Sequence, residues 1–306
     1  MFQFRQLGTR ALRTYDTTQR KRPEPRALGI DDDACLAAPL KDLASKRFTN
    51  IAALGIVASL LNLQQETVLD AVEDFFGAKH PELTEENHDA LVKGFAWASE
   101  HRAPSVALPP VNDPPKRIML NGNQAIALGA LSAGLGFYAF YPMTPATSIA
   151  NAIIRDARAA GVIVEQAEDE IAAINMAIGA SFAGAVAMTG TSGGGFALMT
   201  EGVSLAAMTE TPIVVTVSQR PGPATGLPTR TEQAELWFAL HAGHGEFPRA
   251  VLTPSSHEEA FQAGINAFNL AERYQTPVLV LSDHYLATSY ATVERFDFEN
   301  VVIDRG

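Results

Sequence analysis

Between Phe48 and about His101 the apolar positions recur with the period of a helix. NIAALGIVASLLNL is apolar on most faces, QQETVLDAVEDFF repeats its apolar residues at helical spacing, and TEENHDALVKGFAWASEH opens at Thr84 to Asn87 and continues as a helical stripe. The pattern therefore predicts a small helical unit. From residue 118 onward the texture changes to small-residue helices alternating with short apolar runs. NQAIALGALSAGL, SIANAIIRDARAAG, DEIAAINMAIGASFAG, ALMTEGVSLAAMT and EEAFQAGINAFNLAERY read as helices. FYAFY, VIVEQ, AVAMTG, PIVVTVS and PVLVLSD read as strands, most of them continuously apolar, as strands of a parallel sheet covered on both faces are. The expected architecture is a doubly wound α/β fold, a mostly parallel sheet with helices on both faces, preceded by the small helical segment.

Between the two textures lies PSVALPPVNDPPKR, residues 104–117, whose five prolines rule out helix and read as an extended connector. The organisation expected is an irregular leader over 1–35, a helical segment over 36–103, the connector over 104–117 and the α/β domain over 118–306. The leader inverts the charge of the chain: residues 1–26 carry seven Arg or Lys against two acids, while the whole chain is at −11. That overall charge repels nucleic acid and anionic membranes. The apolar fraction of 47% with 19% charged residues fits a globular protein, and no uncharged run reaches the length of a membrane span. MFQFRQLGTRALR has no apolar h-region with a cleavage site, so a cytoplasmic setting is expected. The single cysteine, Cys35, excludes an intrachain disulfide and a cysteine-ligated zinc or iron–sulfur site. Three neighbouring aspartates in DDDACLAAPL disfavour the thiolate, which argues against a nucleophile there.

Candidate chemistry falls where a doubly wound sheet binds ligands, beyond the C-terminal ends of its strands. In YPMTPATS, just past the FYAFY strand, Pro142 and Pro145 bracket Thr144, stiffening the loop, and Thr147 or Ser148 is placed to cap the next helix. An ordinary proline turn with a capping threonine explains the same residues. VEQAEDEIAAIN sets Glu165, Glu168, Asp169 and Glu170 at a strand-to-helix junction. The helix macrodipole accounts for acids there, but Glu170 stands directly before the apolar run, where a carboxylate can meet a ligand nitrogen. TGTSGGGFALMTEG looks like a glycine loop entering a helix without the lysine of a P-loop or the spacing of a dinucleotide fingerprint. Its glycines mark a close approach by a ligand or another subunit. Arg220 and Arg230, on the loop after PIVVTVS, are either anion receptors or solvated arginines. His241 and His244 in HAGHGE have no clear third ligand and read as a loop.

Taken together, NGNQAIALGALSAG, YPMTPATSI, EDEIAAINMAIGAS, TSGGGFALMTE with ETPIVV, QRPGPATGLPTRTEQ and LVLSDHYLA resemble the α subunit of the 2-oxoacid:ferredoxin oxidoreductase family, in the form fused behind a γ domain. PLKDLASKR and NIAALGIVASLLNL resemble the C-terminal end of that γ domain. The resemblance implies that residues 118–306 form the pyrimidine-binding half of a thiamine diphosphate fold. A β subunit would hold the diphosphate, magnesium and a [4Fe–4S] cluster.

By the family pattern Glu170 hydrogen-bonds the aminopyrimidine of the cofactor, Thr144 and Arg220 hold the carboxylate of the oxoacid, and Thr229 adds a polar contact. The implied activity is oxidative decarboxylation of a 2-oxoacid, with electrons passed to ferredoxin and the acyl group to coenzyme A, in a hetero-oligomer. The GLPTRTEQ loop resembles the 2-oxoglutarate or broad-range members, and Arg230 is placed to meet a second carboxylate. Two departures stand out: TSGGGF replaces TSGPGF, and the resemblance implies a chain that begins inside the γ domain and stops soon after the pyrimidine-binding one. A non-catalytic interaction module of such a complex is the alternative reading. A transketolase-like thiamine enzyme is a weaker one, because those chains also carry the diphosphate-binding half.

Overall fold

The computed structural model describes residues 13–16, 35–77, 80–101, 108 and 115–306. It divides into two compact units, Met1–Pro114 and Pro115–Gly306.

In the first unit, strands β1 (Arg13–Asp16) and β2 (Cys35–Ala38) pair in parallel. Helices α1 (Leu40–Leu43), α2 (Thr49–Leu60), α3 (Gln65–Phe76) and α4 (Thr84–His101) follow. The helical periods hold, and the buried stripes meet in two small cores. One gathers Ala38, Ile56, Leu60 and Ala98, the other Ala58, Val68, Val72 and Leu91. The expectation of an irregular leader over 1–35 fails at residues 13–16. RTYD has no apolar alternation and becomes a strand only through its pairing with CLAA. The rest of the leader and most of the 104–117 connector lie outside the described residues, as does the side chain of Cys35.

The second unit runs β3 (Arg117–Asn121), α5 (Gly122–Ser132), β4 (Phe137–Phe140), α6 (Thr147–Ala160), β5 (Ile163–Gln166), α7 (Glu170–Phe182), β6 (Ala187–Thr191) and α8 (Gly193–Met208). It continues with β7 (Ile213–Gln219), α9 (Leu236–His241), β8 (Ala250–Leu252), α10 (His257–Tyr274), β9 (Pro277–Asp283), α11 (His284–Thr288) and β10 (Tyr290–Glu294). Six strands form one all-parallel sheet in the order β5-β4-β6-β7-β9-β8. β3 and β10 make a separate antiparallel pair. Helices α5, α6 and α10 contribute to one apolar core and α7, α8 and α9 to another. The central strands β6 and β7 are buried throughout. The doubly wound reading therefore holds.

Three local expectations change. The N-cap of α6 is Ala146, without a side-chain cap, so neither Thr147 nor Ser148 caps that helix. Both lie already inside the helix, and the Ser148 hydroxyl serves another partner described below. Glu165 lies in β5, an exposed edge strand, as the VIVEQ reading has it, whereas His241, expected in a loop, lies in a helix. The three glycines at 193–195 are not a loop but the first turn of α8, entered directly from β6 through Ser192. Elements without a reading in the sequence include β8 with three residues, α9 with six, α11 and β10 with five each, and β3, which begins at the end of the proline connector. His241 closes α9, and His244 lies in the loop beyond it.

Candidate active site

The chain leaves β4 outward to β5, then crosses back to β6 on the other side of β4. Neighbouring connections thus depart to opposite sides, which opens a crevice at the C-terminal ends of β4 and β6. The loops that carry Thr144, Glu170 and the glycine turn all start from this end of the sheet, and so does the Arg220 loop one strand further along.

Asp169 caps α7, accepting the Ala172 N–H at 2.7 Å, and this fixes Glu170 as the first helical residue. Glu170 is only 3% exposed, and its Oε1 is sealed from solvent with no hydrogen-bond partner. Its neighbour is the first turn of α8: a Cβ at Gly195 would stand 2.6 Å from Glu170 Oε1 and collide with Thr191 Oγ1. Only glycine leaves that space. The Ser192 hydroxyl, at the N-cap of α8, caps nothing and is likewise buried without a partner. An unpartnered buried carboxylate oxygen is expensive. Here it leaves a buried free acceptor at the first residue of α7, suited to a ligand N–H.

The Thr144 turn is held from two sides. Asn123, near the start of α5 and fully buried, donates from Nδ2 to the Pro145 carbonyl at 2.8 Å and to the Ser148 hydroxyl at 2.7 Å. Arg220, 6% exposed, donates from Nη1 to the Thr144 carbonyl at 2.5 Å and from Nη2 to the Thr225 carbonyl at 3.0 Å. Its Nε has no partner. The Thr144–Pro145 peptide bond is cis, and the Thr144 side chain is exposed. Thr191 Oγ1 in turn contacts Met143 Sδ at 3.7 Å. These contacts bring Thr144, Glu170 and Arg220 into one neighbourhood, linked through Thr191 and Gly195. Thr229 and Arg230 are exposed on the Arg220 loop, and among the described residues no hydrogen bond joins Thr229 to the other three.

The comparison with known families decides what this crevice belongs to. A family model described as "Pyruvate flavodoxin/ferredoxin oxidoreductase, thiamine diP-bdg" matches residues 128–305. The chain belongs to this oxidoreductase family. A second model, "Pyruvate ferredoxin/flavodoxin oxidoreductase", matches residues 9–97. Among curated relatives of the family, the 2-oxoacid:ferredoxin oxidoreductase 1 α subunit of Sulfurisphaera tokodaii is 40% identical over 86% of this chain and 43% of its own length. The 2-oxoglutarate oxidoreductase subunit KorA of Mycobacterium tuberculosis is 38% identical over 82% of this chain and 39% of its own. A solved structure of a 2-oxoglutarate:ferredoxin oxidoreductase from Magnetococcus marinus, with 2-oxoglutarate, coenzyme A and succinyl-CoA bound, superposes with a TM-score of 0.85 at 38% identity. It covers 97% of this chain and 52% of that one. The chain thus spans less than half the length of these two curated relatives and about half of the solved chain.

The oxidoreductase family match over residues 128–305 is to its thiamine diphosphate-binding domain, and the Glu170 site fits that cofactor. A buried carboxyl oxygen without a partner, hard against Gly195 at the first turn of α8, suits a pyrimidine nitrogen, accepting from an N–H or, when protonated, donating to a ring nitrogen. Among the described residues, no group of three or more His, Cys, Asp or Glu is placed to hold a metal, and no helix is long and apolar enough to cross a membrane. Two site residues escaped the sequence reading. Asn123 has a signal, a polar residue inside an apolar helix, although pattern alone does not say what it holds. Glu235 has none, because its place is set by the path of the loop after Arg220. Its carboxyl is pushed up to about 7 by burial and by the charge of Glu232, with Arg220 pulling the other way.

Proposed function

We propose that this chain works within the α subunit of a 2-oxoacid:ferredoxin oxidoreductase, contributing the pyrimidine-binding half of a thiamine diphosphate site. The observation that carries the reading is the Glu170 carboxylate, buried at the strand-end crevice with Oε1 unpartnered. Bound thiamine diphosphate supplies the electron sink for breaking the bond between a keto carbon and its carboxylate. Glu170 holds a proton against a ring nitrogen of the aminopyrimidine, and its burial keeps water from competing for that bond.

Thr144 and Arg220 bind the carboxylate of the oxoacid, with Thr229 as a further polar contact on the same loop. Arg220 uses two N–H bonds to clip the Thr144 and Thr225 carbonyls, which orients its remaining donors, Nε among them, for an anion. Asn123 keeps the Thr144 turn in place for the same carboxylate. In this reading residues 118–306 are the pyrimidine-binding α domain and 36–103 the C-terminal part of a γ-type domain, joined through 104–117. A β subunit provides the diphosphate site, magnesium and a [4Fe–4S] cluster, ferredoxin accepts the electrons, coenzyme A takes the acyl group, and the complex works in the cytoplasm. The preferred substrate is 2-oxoglutarate, a choice supported by the names of the KorA relatives and of the solved structure from Magnetococcus marinus.

The test is reconstitution with a cognate β subunit, following ferredoxin reduction driven by 2-oxoglutarate and the thiamine diphosphate retained by the complex. Ferredoxin reduction is expected with the wild-type chain. Glu170→Gln should remove at least about a hundredfold of that turnover, the scale of a lost proton-transfer group. Turnover within a few fold of wild type would remove Glu170 from its role.

A further inference from the structure

The cavity beside Arg220 holds a second charged group that the Thr144, Glu170 and Arg220 set does not use. It measures about 220 Å³ and is lined by Gly193, Gly194, Arg220, Pro223, Ala224 and Glu235 among others. Glu235 is placed by its backbone: its N–H donates to Gln219 Oε1 at 3.0 Å, and Gln219 is the buried last residue of β7, directly before Arg220. The carboxylate points toward the first turn of α8, with Oε1 lying against the space a Cβ at Gly193 would need. Its Oε2 is sealed from solvent and has no hydrogen-bond partner. Arg220 lines the same cavity, and its Nε is likewise buried without a partner. Glu235 and Arg220 line one cavity, yet among the described residues no ion pair joins them. The space between them suits a ligand that offers an anion to Arg220 and a different group to Glu235.

We infer that Glu235 is a specificity-determining residue, weighing the charge on the end of the substrate that points away from Arg220. The inference rests on the oxoacid reading given above. With the carboxylate next to the keto group on Arg220, the rest of the substrate extends toward the opposite wall. A neutral alkyl group is indifferent to the protonation state of that wall. A second carboxylate is repelled by an ionised Glu235 and accepts a hydrogen bond from a protonated one. Three influences face Glu235: Glu232 on its own loop favours the protonated form, while Arg220 and the N-terminal dipole of α8 favour the ionised one. Burial outweighs them and brings the change of state near neutral pH. Two like charges about 6 Å apart at an effective dielectric of about 20 to 40 weaken binding at least roughly tenfold.

The experiment uses the chain reconstituted with its β subunit and compares 2-oxoglutarate with 2-oxobutyrate at pH 6 and pH 8. Dissociation constants and kcat/KM are both measured for wild type, Glu235→Gln and Glu235→Asp. In wild type the preference for the dicarboxylic acid should fall roughly tenfold from pH 6 to pH 8. Glu235→Gln should hold its preference constant across that range, and Glu235→Asp should restore the pH dependence, which a merely structural role would not do. A wild-type preference that does not change with pH, or a Glu235→Gln variant that changes as wild type does, overturns the inference. If both acids bind and neither is turned over, the oxidoreductase reading fails while the ratio of dissociation constants still decides the role of Glu235. If neither acid binds, both fall.

Discussion

The two units bury polar groups in opposite ways. Among the described residues of the helical unit, one buried side-chain atom lacks a hydrogen bond, His88 Nε2, and it lies 3.7 Å from Glu73 Oε2. In the α/β unit the unpartnered atoms include Asn123 Oδ1, Glu170 Oε1, Ser192 Oγ, Arg220 Nε and Glu235 Oε2, and these five sit on elements around the ends of β4, β6 and β7. Folding alone does not favour such a cluster, since each orphaned group carries its desolvation penalty with no bond in return. The helical unit spends its close contacts on packing: a Cβ at Gly55 would fall on the Leu91 carbonyl, and one at Gly94 on the Ala52 carbonyl. The α/β unit uses the same device at Gly195, which lets Thr191 and the Glu170 carboxylate pack hard against the first turn of α8. Glycine closes a helix–helix interface in one unit and seats a carboxylate in the other.

The contrast is broken most severely at Glu170. Glu170→Gln should lower turnover at least about a hundredfold while leaving thermal stability equal or higher, because it neutralises a buried carboxylate oxygen that has no partner. Loss of both activity and stability would place Glu170 among the packing residues instead. Gly195→Ala comes next. Its methyl must displace the carboxylate 2.6 Å away, and a shift of that order should reduce turnover about tenfold to a hundredfold, with the cofactor still retained at higher concentration. Gly94→Ala is the counterpart in the helical unit. Overpacking against the Ala52 backbone should cost about 1–3 kcal/mol, read from denaturant midpoints, with kcat per folded complex unchanged.

How far the sequence reveals these features follows from what each depends on. The helices and the parallel strands were legible because burial on one or both faces imposes a period, and each run was long enough to display it. β1 was not, since RTYD has no apolar run, and β8 was not, since AVL at three residues is too short to show one. Thr144, Glu170 and Arg220 were legible as strand-end residues, but the grip of Arg220 on the Thr144 carbonyl joins positions 76 residues apart and has no local trace. The expected cap at Thr147 or Ser148 went wrong for a similar reason. Asn123, from another helix, takes the Ser148 hydroxyl as its acceptor, which no reading of the turn by itself could supply. Glu235 is one acid among several in a polar loop, and only burial against α8 sets it apart.

That burial has a consequence for stability that separates the two units by pH. The Glu235 carboxyl rises from its ordinary 4.5 to about 7 in the folded chain, first through burial, then through Glu232, against the pull of Arg220. Between these values the folded chain keeps a proton that the unfolded chain releases, so stability falls as pH rises through the window, and the penalty is complete above 7. The side chain is only half-buried, so solvent screening reduces the effect to about 1 kcal/mol. Glu235→Gln should therefore melt roughly 2–4 °C above wild type at pH 8 and together with it at pH 4.5, as read by calorimetry. The Gly94→Ala loss, being steric, should be the same at both. A Glu235→Gln gain that is equally large at pH 4.5 would mean that the amide packs better, and that the charge of Glu235 is not what strains this end of the sheet.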